Sequence, residues 1–421
     1  MTTPAFRPAP RLLLPHQDIP LDRWAVVACD QFSSQPEYWE EVRGLTAGGP
    51  STFRFILPEC WLDTSDAGDA IGAIHGAMDR ALADGTLRGL EGRYLYCQRT
   101  LSTGRVRHGI LGVLDLERYD YRPGAQAAVR ATEGTVADRL PPRMTVRRGA
   151  ALELPHVLVL LDDRDRTVVE PLAEITGEMT PEYDGPLMLG GGSIRGWSLT
   201  PAQGAGVDAA LEALEARGGM TYAVGDGNHS LATAKECFEE LKRTLPREAW
   251  ERHPARYALV ELGNLYDPSL EFEPVHRLVV GADPQDLLDT LTRELSLTPR
   301  EGAPAQRLGI CRAGGAETAR WIAAAASPLA VGSLQPCLDR YLARHPGAGI
   351  DYIHGDDDLR RLAAGRRDAL GILLPPMPKE DLFPGVVADG VLPRKTFSMG
   401  HARDKRYYLE CREILTAESN I

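Results

Sequence analysis

The first long apolar run, Trp24-Ala25-Val26-Val27-Ala28-Cys29, closes on Asp30-Gln31, and its length between polar residues predicts a buried strand ending at Asp30. Pro36 then opens a segment in which Tyr38, Trp39 and Val42 recur at helical spacing. Residues 67–85 repeat apolar positions at the same period and close on Gly85, which predicts an amphipathic helix. Residues 92–101 and 106–116 read as a strand pair turning at Ser102-Thr103-Gly104. A second hairpin is expected from residues 156–161 and 167–171 around Asp162-Asp163-Arg164-Asp165.

The second half continues the alternation. Helices are expected at residues 201–217, 229–242, 284–296 and 359–364, and strands at residues 222–225, 257–262, 273–280 and 407–414. Residues 302–334 are rich in Ala and Pro and leave the period open, whereas the polar stretch 129–148, flanked by ordered elements, reads as a structured loop. No fixed-period repeat occurs. The pattern gives a mixed α/β (α+β) class. Three regions are expected on one shared core: an N-terminal α/β region (1–120), a central region (121–282) and a C-terminal α/β region (283–421).

Composition narrows the partners. A charged fraction of 25% and an apolar fraction of 43% over 421 residues describe a folding chain rather than a disordered one. Lys and Arg number 47 against 59 Asp and Glu, and the net charge of −12 repels a phosphate polymer, so nucleic acid is not an expected partner. The N-terminal MTTPAFRPAP has no apolar core of signal-peptide length, and no apolar run approaches the ~20 residues of a membrane span. A cytoplasmic protein with no membrane contact is expected, its oligomeric state open. Seven widely spaced cysteines, never paired as Cys-x-x-Cys, are expected to be reduced and mostly buried rather than zinc ligands.

Candidate chemistry concentrates in Asp226-Gly227-Asn228-His229-Ser230. A strand runs into a glycine turn and then a helix, whose first amides have no intrahelical partner and form an anion site. Asn228 or His229 is expected to cap the helix, Gly227 to supply a positive φ, and Asp226 to stand at the strand end. A well-capped helix would use the same pattern, although capping does not require the imidazole of His229. Arg130 with Glu133 could bind phosphate and move a proton, and His276-Arg277 pairs a proton carrier with a bidentate anion ligand. Lys395-Thr396 offers an ammonium and a hydroxyl. The His354-Gly355-Asp356-Asp357-Asp358 run fits a helix start better than a metal site. Walker A, Gly-x-Gly-x-x-Gly, Gly-x-Ser-x-Gly, His-Glu-x-x-His and EF-hand spacings are absent from the sequence.

Taken in order, Cys29-Asp30-Gln31, Arg130 with Glu133, Asp226-Gly227-Asn228-His229, Pro274-Val275-His276-Arg277 and Arg394-Lys395-Thr396-Phe397 resemble the motifs of the domain of unknown function numbered one thousand and fifteen. The Asp-Gly-x-His element also resembles the central motif of the ParB/sulfiredoxin-like fold of free-serine kinases, where Arg usually follows the His; Ser230 stands there in this chain. The resemblance implies a ParB/sulfiredoxin-like core with large N- and C-terminal additions. It implies a nucleotide-dependent phosphotransferase acting on a small hydroxyl compound such as free serine, with ATP or ADP and Mg²⁺ as cofactors. In that expectation Asp226, His229 and Glu133 are catalytic. Gly227, Asn228, Ser230, Arg130, Arg277, His276, Lys395 and Thr396 contact phosphate or nucleotide, and Asp30 contacts substrate or metal. A non-catalytic nucleotide or metabolite sensor and a phosphate-ester hydrolase are the alternatives. Every version expects a small anionic ligand in a local basic pocket assembled from both ends of an otherwise acidic chain.

Overall fold

The computed structural model describes residues 3–32, 35–58, 61, 67–300 and 306–415. The chain divides into two units: Met1–Ala131, Thr135–Leu270 and His401–Ile421 form the first, and Thr132–Gly134 with Glu271–Gly400 form the second. Helices and sheets mix throughout both, giving the α/β class read from the alternating periods.

Unit 1 is organised around strands β1 (Leu95–Thr100), β2 (Val106–Asp115), β3 (Tyr119–Asp120), β4 (Val129–Ala131), β5 (Leu158–Leu161), β6 (Tyr183–Pro186), β7 (Ser193–Ser198), β8 (Tyr222–Asp226) and β9 (Tyr257–Asn264). They run in the order β6-β7-β1-β2-β9-β5-β8-β4-β3, and Phe6–Arg7 pairs with β2. Alternate residues go to opposite faces. Tyr96, Ile110, Val159, Val224 and Val260 pack with helices α4 (Pro201–Glu215) and α5 (Asn228–Thr244). Leu95, Cys97, Leu111, Val113 and Leu259 pack instead with α1 (Pro36–Thr46) and α2 (Ala67–Ala83). Both faces being covered explains why these strands read as near-continuous apolar runs. The short helix α3 (Leu140–Arg147) sets Leu140 and Met144 against Ala232 of α5.

Three expectations fail for identifiable reasons. Trp24 to Val27 are buried and Ala28 and Cys29 partly so, but the run joins no strand, because side chains take its backbone groups: Ser51 Oγ and Thr52 Oγ1 donate to the Trp24 carbonyl, and Val26 N donates to Thr52 Oγ1. Only an isolated bridge, Val26 to Tyr408, remains. The hairpin at 156–171 does not form either. The fully buried Asp163 carboxylate accepts the amides of Thr167 and Val168, closing that loop on itself, and Pro171 starts a short helix. β5 pairs instead with β8 on one side and β9 on the other. The expected strand at 92–101 also divides: Leu87–Arg93 pairs with Ala9–Pro15, and only β1 continues into the ladder with β2.

Unit 2 holds β10 (Phe272–Val280), β11 (Leu297–Thr298), β12 (Gln306–Cys311), β13 (Thr318–Ile322), β14 (Gly349–His354), β15 (Ala369–Leu373) and β16 (Phe397–Met399). Its sheet runs β11-β13-β12-β15-β10-β14, with β16 on β10. Four helices are described in it: α6 (Pro284–Leu295), α7 (Ala330–Arg344), α8 (Asp356–Ala364) and α9 (Leu382–Asp389). The described part of the Ala- and Pro-rich stretch, residues 306–334, thus holds two strands and a helix start. Asp356, Asp357 and Asp358 do open a helix, as acidic residues at its positive end favour. The six described cysteines are free thiols, and among the described residues no helix is long and apolar enough to cross a membrane.

Candidate functional site

β8 pairs in parallel with β4, setting Ala223 opposite Arg130, and antiparallel with β5, setting Asp226 opposite Leu158. The register slips between Val224 and Asp226, and such a bulge re-aims the strand end. Gly227 follows at φ 83°, in the left-handed region that glycine enters at little cost, and serves as the helix N-cap. Space requires glycine as well, because a Cβ there would stand 2.9 Å from Val157 Cγ2. The expectation of an Asn228 or His229 cap is therefore corrected. Asn228 is the first helical residue, and its side-chain amide donates back to the Val224 carbonyl at 3.4 Å.

The first bond of α5 runs from Leu231 N to the Gly227 carbonyl, so the amides of Asn228, His229 and Ser230 precede it. Several polar side chains gather around this turn. Asp226 Oδ1 accepts the Gly227 amide, and Asp226 Oδ2 lies 3.1 Å from Lys405 Nζ. Ser230 Oγ is 2.7 Å from His156 Nε2, and the His156 ring lies 5.0 Å from that of Tyr408. His229 Nε2 accepts the amide of Val136 at 3.3 Å. All of these polar residues are half-buried, neither sealed from ligand nor fully in water.

Lys405 reaches Asp226 because its neighbours are anchored. Asp404 accepts the Ser102 amide at 2.7 Å and the Ser102 hydroxyl at 2.8 Å. On the other side, Arg406 Nε lies 2.7 Å from Glu261 Oε2, and its Nη2 donates to Glu410. Glu261 also meets Arg107 at 3.2 Å, and Gly109 makes room for it, since a Cβ would come within 2.7 Å of the carboxylate. Burial pushes the Glu261 carboxyl up, but Arg107 and Arg406 outweigh that and hold it below the usual carboxylate range. Such a pair is stable in a dry interior only because both guanidinium groups and the carboxylate compensate one another.

A second group of the expected residues meets inside unit 2. Glu133 bridges to Leu392, and its Oε1 accepts the Lys395 amide at 3.2 Å. Lys395 sits at φ 56°, an uncommon backbone state for a residue with a side chain. Arg277 holds this turn from below: its Nη1 and Nη2 donate to the Lys395 and Arg394 carbonyls, its Nε to Gln335, and its guanidinium stacks on Tyr352 at 4.7 Å. Burial lowers its pKa to about 10. Thr396 Oγ1 donates to the Pro393 carbonyl at 2.5 Å. His276 is buried between Asp356, at 2.9 Å from Nε2, and the Leu374 amide, which donates to Nδ1 at 3.1 Å. The last bond requires an unprotonated Nδ1, so the Nε2 proton faces Asp356.

The sequence-derived candidates thus fall into two clusters. Asp226, Gly227, Asn228, His229 and Ser230 share one turn in unit 1, with Arg130 on the adjacent strand, buried and donating to the Ala127 carbonyl at 2.8 Å. Glu133, His276, Arg277, Lys395 and Thr396 belong to unit 2. Asp30 opens a 3-10 turn, and its side chain lies outside the described residues. Pattern reading missed His156 and Lys405. His156 begins an apolar run, and Lys405 stands in an alternation of charges with Tyr, Leu and Cys that reads as an exposed strand. The interleaved apolar residues Tyr407, Leu409 and Cys411, all buried, were the available signal.

Among solved structures, the chain is similar to a substituted free serine kinase in complex with AMP, at 12% identity and a TM-score of 0.39, covering 72% of this chain and 90% of that one. It is similar to a conserved hypothetical protein from Pyrococcus furiosus, at 11% identity and a TM-score of 0.36, with 68% and 89% covered. SbnI with C-terminal truncation from Staphylococcus aureus shows 11% identity and a TM-score of 0.36, with 69% and 82% covered. No curated protein matches the chain. Residues 6–342 match the family described as "Protein of unknown function (DUF1015)", and the chain belongs to that family.

Proposed function

We propose that the protein is a nucleotide-dependent phosphotransferase acting on a small hydroxyl compound, with free serine as one candidate acceptor and ATP or ADP as the nucleotide. The observation that carries this reading is the Asp226–Lys405 pair, 3.1 Å apart, at the glycine turn into the 17-residue helix α5. A carboxylate, an ammonium and helix-start amides in one half-buried place are what phosphoryl transfer uses, since that reaction depends on positioning and charge neutralisation more than on covalent chemistry. The amides from Asn228 to Ser230 face the phosphate, Lys405 neutralises its developing charge, and Asp226 accepts the proton of the acceptor hydroxyl. His229, held through the Val136 amide, borders the same turn.

Among the described residues no group of three or more His, Cys, Asp or Glu side chains gathers as a metal site. Mg²⁺ entering with the nucleotide would supply charge neutralisation beside Lys405. In unit 2, Arg277 supports the Arg394–Lys395 turn, whose Lys395 amide donates to Glu133. Calorimetry with ADP and with inorganic phosphate tests the reading. Micromolar to millimolar binding that falls in Lys405→Ala is expected, and no heat from either ligand contradicts it.

A further inference from the structure

Ser230 occupies the third residue of α5, and its hydroxyl lies 2.7 Å from His156 Nε2. The contact is built by tertiary structure. β5 lies antiparallel to β8, which brings the residues just before Leu158 to the end of the sheet where β8 stops at Asp226. Val157 then packs against the bare Cα of Gly227, and Tyr408 flanks the His156 ring at 5.0 Å. The imidazole is thereby set against the one hydroxyl of the first helical turn. A serine whose hydroxyl meets an imidazole nitrogen, beside helix-start amides able to stabilise a developing oxyanion, is the arrangement of an activated nucleophile.

We propose that Ser230 is a catalytic nucleophile with His156 as its general base, and that phosphoryl transfer runs through a phosphoserine at position 230. The inference rests on the phosphotransferase reading above. In the first step Ser230 Oγ attacks the terminal phosphorus, the bond from that phosphorus to the nucleotide's bridging oxygen breaks, and the Ser230 proton passes to His156 Nε2. In the second step the acceptor hydroxyl attacks the same phosphorus and gives its proton to Asp226. The Oγ–P bond breaks, and His156 returns its proton to Ser230. The nucleotide leaves one phosphoryl group shorter, and the acceptor becomes a phosphate monoester.

The test has two arms. A fluorophosphonate, which phosphonylates activated serines without any nucleotide, is incubated with wild type, Ser230→Ala and His156→Gln, and the modified peptide is located by mass spectrometry. Labelling at Ser230, absent in Ser230→Ala and slowed about 100-fold or more in His156→Gln, is expected from the usual worth of general-base assistance. Equal melting temperatures establish that the variants are folded. In the second arm, Asp226→Asn is incubated with ATP and Mg²⁺, and a phosphoserine at 230 is expected to accumulate because the second step is blocked. No labelling at Ser230, labelling indifferent to His156→Gln, or wild-type nucleotide turnover by Ser230→Ala overturns the inference. Failure of the wild type to consume nucleotide while Ser230 labels normally removes the phosphotransferase reading and leaves the activated serine standing.

Discussion

The Lys405 ammonium lies 3.1 Å from an Asp226 carboxylate oxygen, so the C-terminal segment closes on the strand–helix turn of unit 1. If that ammonium serves the anion, Lys405→Ala should weaken ADP or phosphate binding about 10- to 100-fold, the worth of one hydrogen bond to a charged group at about 1.5–3 kcal/mol. Titration calorimetry reads the change, and Lys405→Arg should recover part of it.

Glu261 has two buried guanidinium neighbours, so Glu261→Gln leaves Arg107 and Arg406 without their shared carboxylate. A loss of about 3–5 kcal/mol is expected, the cost of breaking a buried pair from one side, measured by urea unfolding. The sign of the pH effect follows from the depressed folded pKa. Stability from Glu261 is fully present above the unfolded value of about 4.3 and is lost as pH falls through the lower folded value. The variant should lose that component of acid sensitivity.

Gly227→Ala combines a φ of 83° with a Cβ 2.9 Å from Val157 Cγ2. The backbone state alone costs about 1–3 kcal/mol for a non-glycine residue. Melting temperature should fall, and the displaced Val157 should carry His156 away from Ser230, so fluorophosphonate labelling should fall with it. A variant that melts and labels like the wild type would show that the turn tolerates a side chain.

How much of this could be read beforehand differs between elements. The strand at 222–225 and the helix after it follow from local period and a glycine, and β8 and α5 match them within a few residues. The ordered motifs also sufficed to place the chain in its family. The Trp24 run misled because apolarity reports burial, whereas strand pairing depends on which partner takes the backbone groups; here Ser51 and Thr52 take them. His156 and Lys405 were hidden for a related reason. Each reaches the turn through sheet register or buried ion pairs between residues far apart in sequence, and local periodicity carries no such information.

His276 makes a second pH prediction. Burial lowers its pKa, Asp356 opposes that, and Arg277 and Arg360 add to the lowering. A depressed folded value means that the unfolded chain takes up the proton first, so stability falls as pH drops below about 6.5 toward the folded value. His276→Gln keeps a side-chain N–H donor that can serve Asp356 and should flatten the melting-temperature profile in that window. An unchanged slope would assign the pH dependence to other groups.

Phosphorus NMR of the purified protein with ATP, Mg²⁺ and a panel of amino acids and polyols tests the central claim most directly. A new phosphate-monoester resonance that grows with ADP, requires an acceptor, and disappears in Asp226→Asn while ADP binding persists is the expected result. Unchanged nucleotide with every acceptor, together with no nucleotide binding by calorimetry, would contradict it.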